Sequence, residues 1–99
     1  MLLIVGTIRI RSESVESARA DMAQVISVSR AEDGCQEYCY AEDVLDRGLI
    51  HVTEVWRDQA SLDRHAVSGH VALYRTALQK FGVSGRALRI YEVGPARTL

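Results

Sequence analysis

Residues 2 to 10 alternate, with Leu2, Ile4, Gly6, Ile8 and Ile10 on one face and Leu3, Val5, Thr7 and Arg9 on the other, the period of two that marks a strand. From Val15 the period lengthens. Val15, Ala18, Met22, Val25 and Ile26 keep the three-and-four spacing of an amphipathic helix, with Ser14 placed as its N-cap and Gly34 beyond its end, so the helix is expected to run to about Arg30. Residues 36 to 44 and 49 to 56 read as strands joined through Leu45, Asp46, Arg47 and Gly48, a connection of hairpin length. In the second strand Ile50, Val52, Glu54 and Trp56 share one face, and His51, Thr53 and Val55 the other. Asp58 is placed to cap a short helix over residues 59 to 66. Ser68 is placed to cap another, whose Val71, Tyr74, Leu78 and Phe81 keep helical spacing up to Gly82. Residues 86 to 93 make a last strand.

The order strand, helix, strand, strand, helix, strand is the split βαβ arrangement of ferredoxin-like α+β folds, with a four-stranded antiparallel sheet and the helices on one face. The other face is then bare. With Leu3, Val5 and Val55 on it, that face forms an apolar patch, and such patches mark interfaces, so a sheet-to-sheet homodimer is expected.

Composition adds boundaries. The chain has 99 residues, 47% hydrophobic and 25% charged, with no repeat or linker, which fits one domain over residues 1 to 99. A domain this small buries only about two thirds of its unfolded surface, so an internal ligand cavity is costly unless a partner subunit adds contacts. The net charge of −1, without runs of like charge, speaks against nucleic acid or an anionic membrane as partner. The opening apolar run is too short to span a bilayer and no basic region precedes it, so a cytoplasmic location is expected. Cys35 and Cys39 lie four apart in a strand, about 13 Å along the chain, too far for a disulfide, and are read as reduced thiols.

Glu32-Asp-Gly-Cys35 stands before a strand, Thr53-Glu-Val-Trp-Arg-Asp58 closes the third strand, and Ala60-Ser-Leu-Asp-Arg-His65 is followed by Ser68-Gly-His70. In these motifs the chain resembles the antibiotic-biosynthesis monooxygenase family over roughly residues 2 to 93. The matching pattern is "E-x-W-x-D", a helix closing on His, then "S-x-H", at Glu54, Trp56, Asp58, His65, Ser68 and His70. The resemblance implies a dimeric α+β barrel. It also implies an oxygenase without metal or flavin, in which a deprotonated quinol- or anthrone-like aromatic reduces dioxygen itself. Haem-degrading relatives place an Asn, a Trp and a His where this chain has Gly6, His65 and Arg75, so haem chemistry is not expected.

Such a reaction needs a base, a dry aromatic-sized pocket and a donor for the developing oxyanion. His70, in the first turn of its helix, suits the base, because the dipole there disfavours a positive charge. His65, near the end of the preceding helix, suits the acid or oxyanion partner. Glu54, on the helix-covered face, is a possible second base whose burial raises its pKa, or else a structural acid. Trp56 and Tyr74 either wall the pocket or belong to the core. Gly6 marks close approach by a ligand or another backbone, or a bulge. Tyr38, Tyr40 and His51 remain unassigned. His65 and His70 lie five apart, about 140° around a regular helix, so a shared metal is not expected. The same base would serve an isomerase or lyase, and a filled interior would leave a dimeric binding module.

Overall fold

A computed structural model describes residues 1–99. Four strands, β1 (Leu2–Arg9), β2 (Cys35–Glu42), β3 (Leu49–Trp56) and β4 (Gly85–Glu92), form one antiparallel sheet in the order β2-β3-β1-β4. Three helices, α1 (Val15–Arg30), α2 (Gln59–Ala66) and α3 (Gly69–Lys80), complete the ferredoxin-like α+β architecture. No helix is long and apolar enough to cross a membrane.

Register decides which side chains meet. β1 pairs Ile4 with Glu54 and Ile8 with Ile50 on one side, and Ile4 with Ile90 and Gly6 with Leu88 on the other. The face carrying Ile8, Ile10, Ile50 and Val52 packs against Val15 and Ala18 of α1 in the main core. A second cluster, Leu2, Tyr38 and Trp56, closes one end of the sheet, and a third, Val25, Val71 and Tyr74, joins α1 to α3. Leu3, Val5 and Val55, on the opposite face, are only half-buried.

Local chemistry sets the helix starts. The Asp58 carboxylate accepts from the Ser61 backbone N–H at 2.8 Å and its hydroxyl at 2.7 Å, the expected cap of α2. The Ser68 hydroxyl accepts from the Val71 N–H and begins α3. Ser14 does not cap α1. It ends a 3₁₀ turn over Ser12–Ser14, lies in the right-handed helical region and makes no capping bond. β2 spans 35 to 42, not 36 to 44: the Asp43 N–H makes the last bond to β3, on the Leu49 carbonyl at 2.8 Å, and its carboxylate starts the turn by accepting from the Leu45 N–H and meeting His51. β1 stops at Arg9 and β4 runs from 85 to 92, each one residue short of the expected end.

Gly6 is needed for β1 to lie beside β4. A Cβ at this position would stand 1.9 Å from the Ala87 carbonyl oxygen, and φ is +156°, where side chains are rarely found. The close approach is thus by neighbouring backbone. Gly6→Ala is expected to cost at least ~2 kcal/mol in urea-monitored unfolding; a loss below ~0.5 kcal/mol would show that β4 can move aside freely.

Candidate active site

The helices do not fill the space above the sheet. A cavity of about 430 Å³ remains. The apolar side chains of Ile4, Ile8, Val52 and Leu88 line it from the sheet, and Leu62, Val71 and Leu78 from α2 and α3. Exposed Gln59, Asp63, Arg75, Arg86 and Arg89 give it a polar rim. Its size and lining are those of a small-molecule site.

Inside, Tyr38 and Tyr40 on β2 and Tyr74 on α3 form an aromatic wall. The Tyr38 and Tyr40 hydroxyls are 3.0 Å apart, and the Tyr40 and Tyr74 ring centroids 5.7 Å apart. Burial pushes the Tyr38 phenol up to about 12, and raises Tyr40 and Tyr74 further, so all three are un-ionised donors near neutrality. The Tyr74 hydroxyl is buried beside Tyr40 yet has no hydrogen-bond partner of acceptable geometry. The Tyr74 side chain lines the cavity, while its hydroxyl oxygen is withdrawn from solvent.

Glu54 from β3 and His65 from the last turn of α2 also line this space, with His65 Nε2 4.0 Å from Glu54 Oε1. Trp56, two residues along the same strand face, donates its indole N–H to Glu54 Oε1 at 2.9 Å. Its ring is fully buried and stacks 4.6 Å from the His65 ring, while Tyr38 meets that ring edge-on at 5.3 Å. Trp56 therefore positions both groups from below and does not line the cavity. Gly6 is not in the lining either.

The far side of His65 is held by a residue from a distant part of the chain. His65 Nδ1 is 2.7 Å from Glu32 Oε1, and the same oxygen is 2.5 Å from His70 Nε2. One carboxylate oxygen has two lone pairs and accepts from both rings. As a carboxylate only accepts, a neutral His65 ring carries its hydrogen on Nδ1 and its lone pair on Nε2, the nitrogen 4.0 Å from Glu54 Oε1. His70 points to Glu32 and to Ser68 Oγ, 3.3 Å away, and is absent from the lining. The arrangement thus brings His65, Glu54 and Tyr74 to the cavity and leaves His70 behind them.

Glu32 reaches this position because its turn is fastened to α2. Arg57 donates to both Asp33 oxygens at 3.0 and 3.1 Å, and to Ser61 Oγ at 3.1 Å. Gly34, at φ +87°, lets Ser61 approach where a Cβ would be 2.0 Å from its hydroxyl oxygen. Sequence reasoning named Glu32 only within the Glu32-Asp-Gly-Cys35 motif and gave it no role, because its partners lie 33 and 38 positions away. Its sole local signal is the Asp33-Gly34 turn before a strand.

Burial raises the Glu54 carboxyl above its ordinary value, opposed by the Trp56 N–H and by His65. A carboxyl whose pKa is higher folded than unfolded favours the protonated fold, so it destabilises increasingly as pH rises past its unfolded value near 4.5. Glu54→Gln is therefore expected to raise the melting temperature at pH 8, with the gain disappearing by about pH 4. A gain independent of pH, or a loss at pH 8, would contradict this.

A family model described as antibiotic biosynthesis monooxygenase matches residues 1–77. An uncharacterized protein of Synechocystis, sll1783, is 26% identical over 98 residues, 99% of this chain and 67% of that protein. The putative monooxygenase Rv0793 of Mycobacterium tuberculosis is 35% identical over 65 residues, 66% of this chain and 63% of that protein. The chain thus spans about two thirds of the length of these curated relatives. Among solved structures, a putative antibiotic biosynthesis monooxygenase from Deinococcus radiodurans superposes with a TM-score of 0.90 at 26% identity, covering 100% of this chain and 98% of that one. The Rv0793 structure gives 0.84 at 25% identity, covering 98% of each.

Proposed function

The chain belongs to the antibiotic biosynthesis monooxygenase family, and we propose that it is a monooxygenase that oxidises a quinol- or anthrone-like aromatic with dioxygen, using its own side chains in place of a cofactor. The observation that carries this reading is His65: its Nδ1 is bound by Glu32, its Nε2 lies 4.0 Å from Glu54 Oε1, and both His65 and Glu54 line a largely apolar cavity of about 430 Å³.

An acidic C–H or O–H of the substrate gives its proton to His65 Nε2, and Glu32 and Glu54 on either side of the ring stabilise the imidazolium. The Tyr74 ring, with Tyr38 and Tyr40, packs against the aromatic substrate. The electron-rich anion reduces dioxygen and combines with it to a peroxide, which loses water. For a methylene centre the balance is R₂CH₂ + O₂ → R₂C=O + H₂O, with the proton held by His65 returned to the departing oxygen. The tyrosine wall and aliphatic floor exclude bulk water from the anion. In this scheme His65 takes the role of base expected for His70, because His70 has no access to the cavity.

Dioxygen uptake with a panel of hydroquinones and anthrones is expected, and His65→Ala should lower kcat/KM by ~10²- to 10⁴-fold. No uptake across the panel, or full activity in His65→Ala, would overturn the reading. The pairing of two proton carriers, His65 and Glu54, also suits an isomerase or lyase acting beside a carbonyl; turnover that survives strict anaerobiosis would select that alternative. The open cavity weighs against a binding module with a filled interior.

We further propose that the functional unit is a homodimer formed through the uncovered sheet face. Leu3 lies between Val55 and Tyr91 across the strands, and with Val5 they make an apolar strip that no helix covers. Sedimentation at micromolar concentration should give twice the 11.0 kDa chain mass; a monomer mass would overturn it.

A further inference from the structure

We infer that Glu32, His65 and His70 form a binding site for one divalent transition-metal ion of the zinc type, and that the bound ion turns His65 from a proton acceptor toward the cavity into a proton donor. The second half rests on the functional reading of His65 above; the first stands on geometry alone.

The three residues come from three elements: Glu32 from the turn after α1, His65 from the end of α2 and His70 from the start of α3. The break at Val67 and Ser68 removes the single-helix geometry that would have splayed the two imidazoles apart. Each residue offers one ligand atom, and the three atoms lie within 4.8 Å of one another, with Glu32 Oε1 already 2.7 and 2.5 Å from the two nitrogens. Ligand atoms around a tetrahedral zinc ion sit roughly 3.3 Å apart, at ~2.0–2.2 Å from the metal. Binding therefore requires the two short contacts to open and the histidine pair to close.

The donor set is suitable. Two imidazole nitrogens and one carboxylate match zinc and its neighbours in the transition series and do not suit magnesium or calcium, which prefer oxygen. All three side chains are largely withdrawn from solvent, at 8% exposure for His65, 17% for Glu32 and 18% for His70. Supporting groups are in place for His65: Trp56 and Tyr38 fix its ring, and its other nitrogen, Nε2, lies 4.0 Å from Glu54 Oε1. Three protein ligands leave a fourth position for water, which describes an exchangeable ion.

The consequence for the cavity follows from imidazole chemistry. A neutral ring has one N–H and one lone pair. While Glu32 accepts from Nδ1–H, the lone pair lies on Nε2. An ion on Nδ1 needs a lone pair there, so the single ring hydrogen moves through solvent from Nδ1 to Nε2, and the neutral ring carries its hydrogen on Nε2. Metal binding and proton abstraction from the cavity therefore exclude each other, and the ion acts as an off-switch on the far side of the ring.

The test is titration of the whole chain with zinc chloride by calorimetry, with cobalt(II) as spectroscopic probe. One ion per chain is expected, with cobalt giving visible bands of a four-coordinate nitrogen and oxygen site. His70→Ala and the milder His70→Asn should each weaken binding at least ~10-fold, and His51→Ala, on the uncovered sheet face, should leave it unchanged. In zinc-loaded protein, ¹H–¹⁵N correlation spectra should show the His65 hydrogen on Nε2. No binding in tenfold zinc excess, or binding lost with His51→Ala and kept in both His70 variants, would overturn the site. Binding at the site with Nε2 still unprotonated would overturn the switch, whether or not oxygenase activity is found.

Discussion

The candidate site depends on one carboxylate oxygen, Glu32 Oε1, accepting from two imidazoles that belong to different helices. It joins the end of α1, the end of α2 and the start of α3 at a point where none of them packs by hydrophobic contact alone. Charge-assisted bonds of this kind are stronger and more directional than neutral ones, and partial burial reduces the competition from water. The ring of His65 is therefore fixed in rotation as well as in position, with Trp56 beneath it and Tyr38 at its edge.

That fixation is achieved at some expense to stability elsewhere in the site. Glu54 is buried at the cavity with only an indole N–H as close donor, and the Tyr74 hydroxyl is left unpaired. The cavity itself forgoes the packing that a domain of 99 residues would otherwise use. The losses are concentrated where chemistry is proposed, while the surrounding sheet pairs continuously from β2 to β4 apart from one register shift between Cys35 and Glu37. This is the distribution expected when a preorganised site is carried on a rigid frame.

Much of the frame was legible in the residue pattern. The alternation around Ile4 and Ile8 and the helical spacing of Val71, Tyr74 and Leu78 are local properties, and so are the Asp58 and Ser68 caps. Ser14 misled because a 3₁₀ turn already satisfies the start of α1, leaving no orphan donor for a cap to serve. The site was only half legible. Glu54 and Tyr74 could be nominated from the faces they share with core residues, and His65 from its place near the end of its helix. Trp56 could not be told from a pocket wall, because depth beneath a neighbouring ring is not a periodic property. Glu32 was invisible as a site residue because its role depends on how the Asp33-Gly34 turn docks against Ser61, a contact between segments far apart in sequence.

The central claim is that Glu32 fixes His65 with its hydrogen on Nδ1 and a free lone pair on Nε2. Long-range ¹H–¹⁵N correlation spectra of the metal-free chain, recorded where the ring is neutral, read the tautomer directly. The account predicts a protonated Nδ1 and an unprotonated Nε2 for His65, with this preference lost in Glu32→Gln. A hydrogen on Nε2 in the unaltered chain would contradict it, since His65 would then face the cavity as a donor with nothing to abstract a proton.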